Sequence, residues 1–324
     1  LNKYKYYKNK NKFDNVKLEK QKYCWICSST NLEIISDVDR LGFKCKTLVC
    51  SKCSFVFNGD FVSNTSEFYK KYFGNLRWID PFENFKKRIN IDAYSWKRFR
   101  YLEDYQNNTK YYFTNILELG CGDGCNLYPF FKNKKKVLGY DFGQKFLEPG
   151  INLGMDLRYG DINSVEGKNF DLIMLVHSFE HFLNLDNVVK SIKKKLSKDG
   201  CVYVEVPGLL SMNRKLRDSK SIMGVPSSNN FLNYIQFEHN YHFTLNHLTY
   251  IWEQNGFYLS QGDEGVRAIF RKKNKLKCYK YINIKTLKNQ DLISHLKCVE
   301  KDFLTISNLL KALANKIINL LKWY

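Results

Sequence analysis

Residues Ile116-Leu117-Glu118-Leu119-Gly120-Cys121-Gly122-Asp123-Gly124 decide how this chain folds. A short apolar run reaches an acidic residue and then turns through glycines at every second position. A buried parallel strand delivers its backbone to a nucleotide-like ligand in this way, because a Cβ would block both the tight turn and the close approach. A helix is expected from Cys125 through Phe131, with its N-terminal amides aimed at the same pocket. Taken alone, a glycine-rich turn is also compatible with a purely structural role.

The residues that follow narrow the choice. Val137-Leu138-Gly139-Tyr140-Asp141 reads as the next strand and ends in a carboxylate, about 20 residues beyond the glycines, the spacing at which an acidic residue meets ribose hydroxyls. Two acceptor oxygens suit a vicinal diol. Leu157-Arg158-Tyr159 reads as a further strand ending in Gly160-Asp161. Phe170 to Val176 is apolar on both faces, as central parallel strands are, and runs into His177-Ser178-Phe179-Glu180-His181. Leu196-Ser197-Lys198-Asp199-Gly200 is expected to close a helix, with the next strand over Cys201 to Pro207.

Taken in this order, the elements resemble a class I S-adenosylmethionine-dependent methyltransferase from about Ile116 to Phe270. Glu118 to Gly124 matches the first motif of that family, and Asp141 is similar to its ribose-binding acid. Asp161 resembles the residue that contacts the adenine amine, and the loop from His177 to His181 resembles the one facing the methyl group. Leu196 to Gly200 stands where many members carry Leu-Lys-Pro-Gly-Gly, so the turn geometry there departs from the family. Phe243 to Leu248, followed by Glu253-Gln254-Asn255-Gly256-Phe257, resembles the late helix leading into the sixth strand. The resemblance implies a cofactor site of Glu118, Gly120, Cys121, Gly122, Gly124, Asp141, Phe142, Asp161, Ile162 and His177. A nicotinamide dehydrogenase would usually open at the N-terminus with its glycine motif and would not explain the elements at Gly160-Asp161 and His177 to His181.

With 324 residues there is room for one α/β domain plus smaller additions. Lys and Arg number 52 against 32 Asp and Glu, a formal charge of +20. Such a surplus suits nucleic acid, an anionic membrane surface or a phosphorylated substrate. It equally suits a lysine-, asparagine- and tyrosine-rich composition spread along the whole chain, and no patterned basic-aromatic surface stands out from that background. Nucleic acid is therefore not the expected partner. The first dozen residues contain no apolar h-region, and no apolar run is long enough to span a bilayer. A cytoplasmic location is the expectation. The chain opens on Leu1, so this need not be its natural start.

Ten cysteines without an export signal argue against a disulfide framework. Cys24-Trp25-Ile26-Cys27 and Cys50-Ser51-Lys52-Cys53 are two CxxC knuckles, able to offer four thiolates to a structural zinc. Redox pairs and unmetallated thiols are the alternatives. Cys45 is expected to point into a small core. Cys24 to Phe57 resembles the zinc-ribbon extension of a subset of class I methyltransferases, common among enzymes that modify sugars and surface glycans. Ser28 and Ser54 stand where many of these carry glycine, which predicts tight or strained knuckles. A helix from about Phe82 to Tyr105 would lid the cofactor pocket.

Methyl transfer is an in-line displacement at a sulfonium carbon, and a hydroxyl acceptor must also lose its proton. Histidine is the natural base. His177 and His181 flank Glu180 on the loop after the fourth strand, and a second set, His239 and His242, lies in Glu238-His239-Asn240-Tyr241-His242. Two histidines there without a third ligand make a poor metal site. The insertion Ser211 to Asn233, with Arg214, Lys215, Arg217 and Lys220, reads as a substrate lid or a solvated loop. Leu296, Val299, Phe303, Ile306, Leu310, Leu313, Ile317, Leu320 and Tyr324 form an a/d seam. That seam predicts a long helix, which pairs with a second copy, folds back on the core or lies on a membrane surface.

The expected fold is α/β: a Rossmann-like, seven-stranded, mostly parallel sheet with helices on both faces, a small N-terminal zinc ribbon and a C-terminal helical extension. The expected divisions are 20–60, 61–110, 111–274 and 275–324. The expected activity is S-adenosylmethionine-dependent O-methylation of a nucleotide-linked or glycan-linked sugar, with a histidine as base. C-methylation of a ketosugar and RNA modification are the alternatives. Zinc-bearing sugar C-methyltransferases usually carry a further domain after the core, which disfavours the former here.

Overall fold

The computed structural model describes residues 18–38, 44–63, 65–68, 80–210, 235–274, 282–288, 292 and 296. At the N-terminal end, β1 (Leu18–Lys20) is followed by β2 (Leu32–Val38), β3 (Lys44–Cys50), β4 (Val56–Asn58) and β5 (Asp60–Val62). The main domain contributes β6 (Asn115–Leu119), β7 (Lys136–Asp141), β8 (Asp156–Tyr159), β9 (Phe170–Val176) and β10 (Leu196–Glu205). Then come β11 (Tyr241–His242), β12 (Phe257–Asp263) and β13 (Arg267–Lys272).

The expected sheet is present. Seven strands lie in the order β12-β13-β10-β9-β6-β7-β8. β6 through β10 pair in parallel, and β13 runs antiparallel to both of its neighbours. The strand order reverses direction between β6 and β9, so their carboxyl ends open a crevice at the topological switch point. β6 and β9 are mostly apolar, with Glu118 the buried exception, because both of their faces are covered. On one face lie Phe85, Phe99, Leu102, Tyr105 and Phe130 against Ile116, Leu172 and Met174. On the other lie Val189, Ile192, Leu248 and Trp252 against Leu117, Ile173 and Val202.

Three local expectations are corrected. The helix after the glycine turn spans only Tyr128–Lys132, not Cys125 to Phe131. The amides of Leu127 and Tyr128 both bond to the Gly124 carbonyl, which winds 125–127 into turns ahead of Pro129. The helix expected over Phe82 to Tyr105 is two helices, Pro81–Arg88 and Tyr94–Thr109. Between them the Asn90 side chain accepts from the Asp92 amide, Ser95 Oγ donates to the Arg88 carbonyl and Trp96 Nε1 donates to the Ile89 carbonyl. Local side-chain bonds of this kind compete with the helical ladder and break it. Finally, Leu196 to Gly200 does not close a helix. The helix Leu185–Lys195 ends at Lys195, and Leu196 already pairs with Phe170, with a bulge before Cys201 rejoins the ladder.

The small N-terminal sheet has the order β11-β4-β3-β2. Its outer strand is supplied by Tyr241–His242, far away in sequence. Cys45 is buried with Val62, Phe68 and Phe237, as expected for a small core. Leu292 and Leu296 are helical and buried against Ile35, Val49, Val56, Leu209 and Ile235. The rest of the apolar seam, from Val299 to Tyr324, lies outside the described residues, as does the insertion Ser211 to Asn233. Among the described residues no helix is long and apolar enough to cross a membrane.

Candidate active site

The glycine turn leaves β6 with Gly120, Gly122 and Gly124 all at positive φ, where other L-residues are strained. At Gly120 a Cβ would also come within 2.5 Å of the Ser178 Cβ. The loop after β9 thus packs directly on this turn, and Ser178 Oγ donates to the Leu119 carbonyl at 2.8 Å. The amides of Gly120 and Cys121 both bond to the Tyr140 carbonyl, those of Gly124 and Cys125 to Cys121 O and Asp123 Oδ1. These amides are held inside the turn and do not form a phosphate cradle, which suits a cofactor without a pyrophosphate. Cys121 is buried behind the turn with its Sγ packed against Gly139, and burial pushes its thiol up.

Asp141 ends β7 beside the turn. Its Oδ2 accepts from the Gly122 amide at 2.8 Å and its Oδ1 from the Gly143 amide at 2.6 Å. Burial raises its pKa, and the two amides oppose that rise. A carboxylate has about four lone-pair positions, so each oxygen retains one for a hydroxyl. The Gly160 amide donates to the Asp141 carbonyl at 3.1 Å, which places the end of β8 alongside. Asp161 there accepts from the Asn163 and Ser164 amides, Ile162 is buried, and the Phe142 and Tyr159 rings meet edge to face.

Glu118 is fully buried under the turn. Asn126 Nδ2 donates to its Oε1 at 2.7 Å, while Oε2 has no hydrogen-bond partner. Burial pushes its pKa up to about 8, against the opposing pull of Asn126, Arg98 and Arg88. A carboxyl whose folded pKa exceeds its unfolded value contributes stability that is complete below the unfolded pKa and is lost as pH rises through the folded one. Glu118→Gln is therefore expected to leave the thermal midpoint at pH 5 near wild type and to stabilise the chain at pH 8 by roughly 3 kcal/mol. Thermal melts at the two pH values check this, and a difference that does not grow with pH contradicts the buried neutral carboxyl.

A set of residues that sequence reasoning missed ties this region together. Arg98 grips Glu205 through two bonds of 2.7 and 2.6 Å and also donates to Asn126 at 3.1 Å. Tyr203 donates to Glu205 at 2.6 Å, and Arg88 pairs with Asp123 at 2.8 Å. The two helices before the sheet are thereby fixed to the glycine turn. The one signal available in sequence was the position of Glu205, at the carboxyl end of a strand next to the central ones.

His177 adopts φ 52° and donates its amide to the Glu205 carbonyl. Its ring lies 3.8 Å from Glu180 and 3.5 Å from Glu205. Burial opposes its charge, but the two carboxylates outweigh burial and push its pKa up to about 9. The two carboxylates thus favour the charged form of the His177 ring. His181 and His239, far apart in sequence, meet edge to face with ring centroids 4.8 Å apart. Their Nε2 atoms lie 3.9 and 4.0 Å from Glu180 Oε1. His242 is buried in β11, with its ring centroid 6.2 Å from that of His239, and burial lowers its pKa to about 4.

The four ribbon cysteines converge. Cys24 and Cys53 Sγ are 3.5 Å apart, as are those of Cys27 and Cys50. Zinc–sulfur bonds of about 2.3 Å give tetrahedral edges of roughly 3.8 Å, so the set fits a zinc ion closely and is far too open for disulfides. Hydrogen bonds from the Cys24 and Cys53 thiols hold Cys50 well below the usual thiol range. Ser28 and Ser54 sit at φ 55° and 62°, the strained conformation that glycine would take at these knuckles.

The family profile described as a methyltransferase domain matches residues 66–261. The chain belongs to this family. It is a class I S-adenosylmethionine-dependent methyltransferase. No curated protein matches it. Among solved structures, it is similar to a chain of the complex between the Haloferax volcanii Trm112 methyltransferase activator and a putative methyltransferase. That match has 13% identity and TM-score 0.36, covering 46% of this chain and 64% of that one. A protein from Pyrococcus horikoshii OT3 has 18% identity and TM-score 0.43, covering 57% of this methyltransferase and 93% of that chain. A putative S-adenosylmethionine-dependent methyltransferase from Listeria monocytogenes has 16% identity and TM-score 0.40, covering 51% and 93%.

Proposed function

We propose that this methyltransferase O-methylates a sugar hydroxyl on a nucleotide-linked or glycan-linked substrate. The observation that carries the proposal is the meeting of His239, from the segment before β11, with His181 and Glu180 on the loop packed against the glycine turn. A sugar hydroxyl attacks a methyl sulfonium only once its proton is being removed, and a histidine–carboxylate cluster beside the donor serves that step. His177, already charged, would hold anionic or polar groups in place. Asp141 would take the ribose diol, with Asp161, Phe142 and Ile162 around the adenine. Glu118, Gly120, Gly122 and Gly124 would shape the floor beneath the methionine portion.

The sugar acceptor is supported by the resemblance of residues 20–60 to the ribbons of glycan-modifying methyltransferases, and Cys24, Cys27, Cys50 and Cys53 would hold a structural zinc there. In this reading 61–110 braces the glycine turn, 111–274 is the methyltransferase domain and 275–324 an extension. The heptad spacing from Val299 to Tyr324 would suit pairing with a second copy.

Labelled methyl transfer to a panel of nucleotide sugars tests the reading. His181→Ala and His239→Ala are each expected to bind S-adenosylmethionine within about threefold of wild type and to lose about a hundredfold or more in turnover. Wild-type turnover in both variants would mean an acceptor that needs no help, such as an amine.

A further inference from the structure

We propose that Glu180, His181 and His239 form a binding site for a divalent first-row transition-metal ion, separate from the four-cysteine site. The inference deepens the proposed function, on which it rests for its role in catalysis. The sequence offered two neighbouring histidines, His239 and His242, and no third ligand. The fold replaces His242 with partners from another loop.

One donor atom from each of Glu180, His181 and His239 lies within 4.8 Å of the other two. Two imidazoles and one carboxylate make a donor set that binds Fe, Mn, Zn and similar ions. Bonds of about 2.1 Å would place such donors roughly 3.0–3.4 Å apart, so the three side chains need to close by about 1 Å.

Glu180 gives an independent sign. Its side chain is about 1% exposed, and neither carboxylate oxygen has a hydrogen-bond partner. Burying a carboxylate without partners is costly unless a cation accompanies it. His177 supplies charge at 3.8 Å, beyond hydrogen-bond reach. The tautomer of His181 points the same way. His181 Nδ1 lies 2.7 Å from the Glu238 carbonyl, which can only accept, so Nδ1 carries the hydrogen. In the neutral ring the Nε2 lone pair then faces Glu180 Oε1 at 3.9 Å, acceptor against acceptor. An ion between them turns that opposition into coordination. A ligating histidine held through its other nitrogen by a backbone carbonyl is the usual outer-shell arrangement at metal sites.

The backbone keeps the loops together. The Asn240 amide donates to the Glu180 carbonyl at 2.9 Å, and Asn240 Nδ2 donates to the His181 carbonyl at 2.8 Å. An acceptor hydroxyl bound to the ion would lose its proton to water near neutral pH, its bonding pair staying on oxygen. That oxygen would then form the bond to carbon as the carbon–sulfur bond breaks, its pair passing to sulfur. His181 and His239 would serve as ligands, the ion taking over the acidification of the hydroxyl.

The test is metal stoichiometry on the full chain, loaded with excess zinc, desalted and measured by elemental mass spectrometry. Wild type is expected to retain two equivalents. Glu180→Gln and His239→Ala should each retain one, with a wild-type thermal transition showing that they fold. Cys24→Ser should lose the other. A single equivalent in wild type, or two in both Glu180→Gln and His239→Ala, overturns the site. One equivalent in wild type combined with a turnover defect in His239→Ala would remove the ion and leave the proposed function standing.

Discussion

Replacing Asp141 with alanine is expected to weaken S-adenosylmethionine binding at least a hundredfold, measured by calorimetry. Asp141 holds the Gly122 amide with one oxygen and the Gly143 amide with the other. It stands at the carboxyl end of β7, next to β6, with a lone pair left on each oxygen. Each charge-assisted bond to a ribose hydroxyl would contribute about 1.5–3 kcal/mol, so losing two would cost about 3–6 kcal/mol. A tenfold change in affinity corresponds to about 1.4 kcal/mol. The same substitution strips two backbone amides of their acceptor and loosens the glycine turn. Asp141→Asn keeps the shape and one acceptor oxygen, so a smaller loss is expected, about tenfold. Binding by Asp141→Ala within threefold of wild type would show that the ribose sits elsewhere.

The second large effect concerns a residue remote from the chemistry. Cys50→Ser is expected to release the ribbon zinc and to lower turnover by about a hundredfold, while S-adenosylmethionine affinity changes only a few-fold. The reason is the shared sheet. β4 of the ribbon pairs with Tyr241–His242, and the Asn58 amide donates to the Asn240 carbonyl at 2.9 Å. Asn58 Nδ2 also reaches the Gln236 and Phe237 carbonyls. From the other side, buried His247 links the helix Leu245–Gln254 to the second cysteine knuckle. Its Nε2 donates to the Cys53 carbonyl at 2.8 Å, and its Nδ1 accepts from Thr244. Burial outweighs the Cys53 carbonyl's upward pull on His247 and lowers its pKa to about 4, so the ring stays neutral in this bridge. The ribbon thus sets the position of His239 against Glu180, and a displacement of about 1 Å at a reacting group can cost a hundredfold in rate. The glycine turn and Asp141 are held by bonds among themselves and to Tyr140 and Gly143. Zinc content by mass spectrometry and single-turnover rates decide the matter. A variant that loses one zinc equivalent yet keeps wild-type turnover would make the ribbon a passive appendage, and a variant that keeps every equivalent of wild type would remove Cys50 from the ligand set.

Much of the fold was legible in one dimension because its signals are local. The glycine turn, Asp141 and Gly160-Asp161 each sit at the end of a short apolar run, and strand ends in a parallel sheet fall on one edge whatever the loop lengths. The two CxxC knuckles were legible for the same reason, since four residues suffice to make each. Local readings failed where side chains competed with backbone periodicity. Asn90, Ser95 and Trp96 break one expected helix into two, and Pro129 shortens another.

By itself, then, the sequence determined the order of strands and turns, the carboxylate that ends β7 and the cysteine quartet. Only the tertiary structure decided which histidines meet. Spacing along the chain pairs His177 with His181 and His239 with His242. The fold instead brings His181 to His239 around Glu180, sets His177 between the carboxylates of Glu180 and Glu205 and buries His242 in the ribbon sheet. The physical reason is that a side chain's protonation and partners depend on burial and on charges contributed by distant segments, and these exist only once the two sheets have joined.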